Sequence, residues 1–182
     1  MHELDKLADR IRACKKCRLC KTRKNAVPGE GPANARLFLI GEAPGRNENE
    51  TGRPFVGQSG RLLTSLLQDA GIDRKKVFIT SILKCRPPNN RKPKGDEVES
   101  CKPYLLQQVK AINPKMIVLL GLVAIENMIG DRKKLRDMHG QVVKAGDYNY
   151  FITYHPAAAR RFPGLKKTII DDFKKLKRLG AD

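Results

Sequence analysis

The residues of this 182-residue chain best suited to chemistry are five cysteines, a histidine–proline pair and a glycine-rich turn. The thiols fall as Cys14-x2-Cys17-x2-Cys20, followed much later by Cys85-x15-Cys101. That is not the paired spacing of a zinc ribbon, yet four thiolates can bind zinc or an iron–sulfur cluster, and spacing alone leaves the metal and the choice among the first three open. Unligated structural cysteines fit poorly, because Cys14, Cys17 and Cys20 sit among Lys15, Lys16, Arg18 and Lys21. His155-Pro156 follows an apolar run and precedes Arg160, Arg161 and Phe162. A histidine so placed can donate a hydrogen bond to negative charge developing on a leaving group. The arginines beside it read as phosphate contacts, and Phe162 as a wedge or part of a solvated basic turn. His2 and His139 have no such setting.

The turn is Gly41-Glu42-Ala43-Pro44-Gly45, continued by Glu48 and by TGRPFVGQSGRLL. Alone it is an ordinary strand-end turn. The continuation adds Phe55, a ring in a loop that can offer its face to a base, and a helix start at which the N–H groups near Ser59 and Gly60 can hold a phosphate.

Elements must bring these groups together. Leu4, Leu7, Ala8 and Ile11 share one helical face over residues 3–13, which leads into the thiols. Leu37 to Ile40 is apolar on both faces, as a strand covered on both sides must be, and is strand one. A helix carrying Leu62, Leu63, Leu66 and Leu67 follows, stopped by Gly71, and strand two runs from Val77 to Leu83. CRPPNNRKPKGD reads as a functional loop; Asp96 with Glu99 resembles a capping box for a helix ending before Pro114. Met116 to Leu120 is strand three, and Gly121 opens a helix to about Ile129. A pair of short strands surrounds Ala145-Gly146-Asp147, the second of which, Tyr148 to Tyr154, is strand four of the sheet. The basic loop His155 to Gly164 then precedes a closing helix bearing Ile169, Ile170, Phe173 and Leu176.

Strands alternating with helices predict an α/β fold with a doubly wound parallel sheet, whose ligands bind at the carboxyl ends of the strands. The length suits one domain spanning residues 1–182, with a cysteine-bearing helix at its N-terminus. Lys and Arg number 37 against 19 Asp and Glu, for a net charge of +18 and a pI near 10.0. The basic residues are spread along the chain, which favours a nucleic-acid partner over a merely solubilising surface. No apolar run is long enough to span a bilayer and no signal peptide is visible, so a cytoplasmic protein without a membrane partner is expected. In that reducing compartment the cysteines are for metal or catalysis, not for a disulfide framework.

Taken together, GEAPG, Glu48, RPFVGQSGRLL, ITSILKCRPPNNR, the Cys101 helix and HPAA resemble the family 4, iron–sulfur uracil-DNA glycosylases over roughly residues 10–175. The resemblance implies a three-layer αβα sandwich with a central, mainly parallel four-stranded sheet. It implies a structural 4Fe-4S cluster on Cys14, Cys17, Cys85 and Cys101, with Cys20 outside the set and zinc as the alternative metal. Glu42 and the backbone at Ala43 would contact a flipped base and Phe55 would stack on it. Ser81 would face its edge and Asn90 would lie near base and sugar. Glu48 would line the pocket and help position water, and His155 would stabilise the departing uracil anion. The implied reaction is hydrolysis of the N-glycosidic bond of uracil, leaving an abasic site in single- or double-stranded DNA. A monomer is expected, with a sliding clamp left open as a partner. Two other readings compete: a DNA-binding member of the same fold that has lost the chemistry, and an electron carrier, which explains neither Glu42 nor His155.

Two positions depart from the wider pattern. Ala43 stands where the superfamily's aspartate-bearing enzymes place a water-assisting carboxylate, and Ser81 stands where the family usually has asparagine. An amide donates and accepts at once along the N3 and O4 edge of uracil, whereas a hydroxyl is shorter and reads fewer groups. Weaker uracil discrimination, or a range extended to other deaminated bases, is therefore expected.

Overall fold

A computed structural model of the protein describes residues 3–130 and 134–180. Helix α1 (Glu3–Arg12) precedes strand β1 (Leu37–Gly41), and the short helix α2 (Arg46–Thr51) and helix α3 (Gln58–Asp69) follow the glycine turn. Then come β2 (Val77–Ser81), α4 (Gly95–Ile112), β3 (Met116–Leu120) and α5 (Leu122–Ile129). The chain closes with β4 (Val142–Ala145), β5 (Tyr148–Thr153), α6 (Pro156–Arg161) and α7 (Leu165–Arg178).

The sheet has the order β2-β1-β3-β5-β4. Its first four strands are the expected parallel set, with Leu37 paired to both Val77 and Met116 and Val118 paired to Phe151. The first member of the expected hairpin also joins, as an antiparallel fifth strand against β5. Side chains alternate across the sheet as the pleat requires. Leu37, Leu39, Val118 and Phe151 pack with Leu63, Leu66 and Leu67 of α3 and Ile169, Phe173 and Leu176 of α7. Phe38, Ile40, Ile117 and Ile152 pack on the other face with Leu7 and Ile11 of α1, Leu105 and Val109 of α4 and Ile125 of α5. The three layers follow directly from this two-sided burial. Among the described residues no helix is long and apolar enough to cross a membrane.

Local details differ from expectation where polar residues decide the backbone. Strand two ends at Ser81, although Ile82 and Leu83 are buried, because their N–H groups turn to the carbonyls of Gly41 and Glu42. Helix α4 is capped two residues earlier than expected: Glu97, not Glu99, reaches back to the N–H of Lys94, at 3.0 Å, while Asp96 pairs with Arg18 at 2.6 Å. The polar stretch Arg46–Thr51 forms α2 without any apolar period, and residues 156–161 of the expected basic loop form α6.

Candidate active site and cysteine centre

The carboxyl ends of β1, β2 and β5 open into a cleft of about 710 Å³. Its walls include Glu42, Ala43, Glu48, Phe55, Ser59, Ser81, Asn90, His155, Arg160 and Arg161, so every candidate base, sugar or phosphate contact read from the sequence lies there except Gly60.

Glu48 builds the near wall. One carboxylate oxygen accepts from the N–H groups of Val56 and Gly57, at 2.9 and 2.8 Å, and the other from Gly45, at 3.1 Å. The side chain thus ties the GEAPG turn to the loop that carries Phe55. Three backbone donors occupy most of its acceptor capacity, so positioning this loop is its observed work. From behind, Arg74 holds the same loop by donating to the carbonyls of Pro54 and Phe55, at 3.1 and 3.2 Å. Burial lowers the pKa of Arg74, opposed by Glu30.

Phe55 has φ of 51°, a conformation an L residue adopts only under constraint. Two glycines make its seat. A Cβ on Gly60 would lie 1.9 Å from the Phe55 carbonyl oxygen, and one on Gly41 would lie 2.6 Å from the ring at Cζ. Gly60 therefore leaves room for the Phe55 backbone. The ring is largely buried against this seat and lies 5.6 Å, centroid to centroid, from the imidazole of His155.

His155 caps α6: its Nδ1 accepts the N–H of Ala157 at 3.1 Å. That bond assigns the proton of the neutral ring to Nε2, which is left as a donor. Burial pushes the imidazole pKa down to about 4, against an opposing pull from Glu48, so the ring is neutral at physiological pH. Gly121, with φ of 88°, lies where a Cβ would come 3.0 Å from Cβ of His155; the end of β3 thus makes room for the histidine.

Ser81 ends β2 opposite Gly41, and its hydroxyl has no hydrogen-bond partner among the described residues. Glu42, half-buried in the cleft, has its pKa raised by burial, with Lys92 pulling the other way. Asn90 sits in a turn with φ of 53°, and its Oδ1 accepts from Nε of Arg86 at 2.8 Å. The next residue, Arg91, anchors this loop by a two-pronged ion pair to the buried carboxylate of Glu97, at 2.5 and 2.9 Å. Arg46, Arg61 and Arg91 join Arg160 and Arg161 on the rim, and Phe162 beside them is exposed. Arg46 and Arg74 lie outside the motifs that the sequence offers, while Arg61 and Arg91 fall within RPFVGQSGRLL and ITSILKCRPPNNR with no role marked for them.

The second hollow lies beneath the N-terminal helix. Cys14, Cys17, Cys20, Cys85 and Cys101 all line it, with Ile11, Lys16, Arg23, Lys84 and Tyr104. Arg23 donates to Sγ of Cys85 at 3.1 Å, and the N–H of Lys84 donates to Sγ of Cys101 at 3.2 Å. Burial raises the thiol pKa of Cys17 and Cys85 and pushes that of Cys101 up to about 11. Among the described residues no three His, Cys, Asp or Glu side chains are disposed to hold one metal ion. The donors nevertheless suit a larger anionic thiolate centre: five thiols face one hollow, and the basic side chains lining it with them are Lys16, Arg23 and Lys84. Lys84 is the least expected of these. Its side chain is 1% exposed, and Nζ donates to Thr80 Oγ1, to the Ser81 carbonyl at 2.9 Å and to Gln108 Oε1 at 2.7 Å. Burial drives its pKa down to about 7, opposed by the Cys101 thiol.

Comparison with known proteins supplies an independent line. Residues 28–176 match the model of the Uracil DNA glycosylase superfamily. The chain is 45% identical over 186 residues to a Type-4 uracil-DNA glycosylase of Saccharolobus solfataricus, covering 97% of this chain and 86% of that protein. It is 49% identical over 172 residues to the Type-4 uracil-DNA glycosylase of Pyrobaculum aerophilum, covering 90% and 88%. With that of Thermotoga maritima it shares 38% identity over 175 residues, covering 94% and 91%.

Proposed function

The chain belongs to the uracil-DNA glycosylase superfamily, and we propose that it removes uracil from DNA by hydrolysing the N-glycosidic bond. The observation that carries the mechanism is the pinned, neutral imidazole of His155 beside the ring of Phe55. A base reaches this cleft only after leaving the stack. Phe55 takes its face, Glu42 and the backbone at Ala43 meet its edge together with Ser81, and Asn90 lies against base and sugar. As the bond between C1′ and the base nitrogen breaks, its electron pair passes to uracil, and Nε2–H of His155 donates to the charge that collects on O2. A neutral donor suits this step, since it stabilises the anion without first transferring a proton to the leaving base. Water then attacks the electron-poor C1′ and loses a proton, which leaves uracil and an abasic sugar. Glu48 holds the turn and the Phe55 loop in register for that attack, while Arg46, Arg61, Arg91, Arg160 and Arg161 meet phosphates around the cleft.

Cys14, Cys17, Cys85 and Cys101 are the residues that would hold a 4Fe-4S cluster, with Cys20 to one side. What supports a thiolate-bound group is the shared hollow with its cationic lining, and the resemblance favours the cluster over zinc. When bound, the cluster supplies cross-linking of α1 to the loop after β2 and to α4, not chemistry on the base. Incubation with a uracil-containing oligonucleotide followed by alkali tests the function: breakage at the uracil position is expected, and binding without breakage would refute it. Iron content and visible absorbance test the cluster separately.

A further inference from the structure

Lys84 lines the cysteine hollow and is bonded to residues that wall the cleft. Its backbone stands at the cysteine centre, since its N–H donates to Cys101 Sγ and Cys85 is the next residue. Its side chain runs back along the end of β2, where Nζ meets Thr80 Oγ1, the Ser81 carbonyl and Gln108 Oε1. The same knot holds the chain before β1. Thr80 Oγ1 and Gln108 Nε2 both donate to the Pro28 carbonyl, at 2.9 and 2.7 Å, and Val27, another wall of the cleft, donates its N–H to the Lys84 carbonyl at 2.7 Å. Every oxygen that Nζ touches is neutral, and among the described residues Lys84 makes no ion pair with a carboxylate. The side-chain nitrogen is therefore held by hydrogen bonds alone, and those bonds fix where its three partners lie.

We propose that Lys84 is a positioning residue that couples the cysteine centre to the base pocket. Its main chain stands against Cys101 and beside Cys85, and its side-chain contacts fix the Ser81 end of β2 and residues 27–28 as one unit. The proposal rests on the reading of the cysteines as a cluster site. It gives the centre a consequence for base recognition, although Lys84 itself touches no base.

The test uses holoprotein and three variants. Lys84→Met removes the hydrogen-bonding nitrogen at similar length, Gln108→Met removes one of its anchors, and Lys21→Met changes an exposed residue of the same neighbourhood. In Lys84→Met and Gln108→Met, KM for uracil-containing DNA is expected to rise severalfold with kcat little changed, and metal loss to a chelator to be faster than in wild type, while Lys21→Met matches wild type in both. An unchanged KM in Gln108→Met overturns the link to the base pocket, and unchanged rates of metal loss overturn the link to the cysteine centre. Should Lys84→Met fail to fold, Gln108→Met decides both. A colourless, zinc-loaded wild type would refute the cluster reading by itself, and the same comparison of metal loss then decides the coupling.

Discussion

Replacing His155 by Asn separates two jobs that the imidazole does at once. Asparagine is a favourable N-cap and can accept the Ala157 N–H, so α6 keeps its cap, but the Nε2–H donor is gone. Losing one donor to a developing oxyanion costs about 2.7–4 kcal/mol, so single-turnover excision is expected to fall by about 10²–10³. The acid limb supplies a second reading. Since the folded-state pKa is about 4 against an ordinary 6.5, wild-type excision controlled by this group stays level from pH 8 to 5 and declines only near 4. For stability the sign is equally definite. Between those two values the unfolded chain takes up a proton that the folded chain refuses, so wild-type stability falls as pH drops through 6.5 and levels off near 4. At about 1.4 kcal/mol per pH unit the increment is at most about 3 kcal/mol, and it should vanish from the pH dependence of His155→Asn. Excision rates on a uracil oligonucleotide and urea midpoints across pH 4–8 measure both. A wild-type rate inflection near 6.5 that disappears in His155→Asn would refute the neutral-donor mechanism, as would a rate loss below tenfold.

Ser81→Asn restores an amide at the base edge, and the ratio of uracil to hypoxanthine excision on a substrate panel is expected to rise on the order of tenfold, the worth of one added hydrogen bond. In Gly60→Ala the new methyl meets the Phe55 backbone, and unfolding experiments should show a loss of about 2 kcal/mol or more, together with reduced excision as the ring shifts. Glu48→Gln keeps the two bonds from Val56 and Gly57 only by turning its N–H₂ group toward the N–H of Gly45; a loss of about 2 kcal/mol is expected, whereas a pure water-activating role would lower excision with stability unchanged. Arg91→Ala leaves the buried Glu97 carboxylate without the bond that lowers its pKa. Wild-type stability from this pair is present above the ordinary carboxylate pKa and is lost as pH falls through the depressed one, so the variant should show a lower Tm at pH 7 and a flatter acid limb in thermal melts.

The sheet was readable because its strands are apolar on both faces: Leu37–Ile40 and Met116–Leu120 admit no other packing in a chain that alternates with amphipathic helices. The cleft was readable for a related reason, since Glu42, Ser81 and His155 break those runs just where each strand ends. Polar contacts acting at a distance were not legible. Lys84 ends an apolar run, ILK, and looks there like the first solvated residue after a strand; only the tertiary placement of Thr80, Gln108 and the cysteines reveals that it is buried. Helix α2 was missed because RNENET has no apolar stripe, its order coming from the contacts of Glu48 and Asn49. The helix start at Ser59 and Gly60 is readable as a source of N–H donors, but the room that Gly60 leaves for the Phe55 backbone depends on a φ that no local pattern announces.

The seat beneath Phe55 divides the cleft into parts that can drift and parts that cannot. Positions 41 and 60 are closed even to a methyl group, so point mutation has almost no neutral path through them. The walls carry no comparable restriction: Ser81 presents a hydroxyl that no other described residue claims, and Glu42 stands half in solvent. On the proposed placement of the base, a lineage with this architecture can therefore vary which damaged bases it accepts by single substitutions at the walls, while the shelf under the base is inherited unchanged.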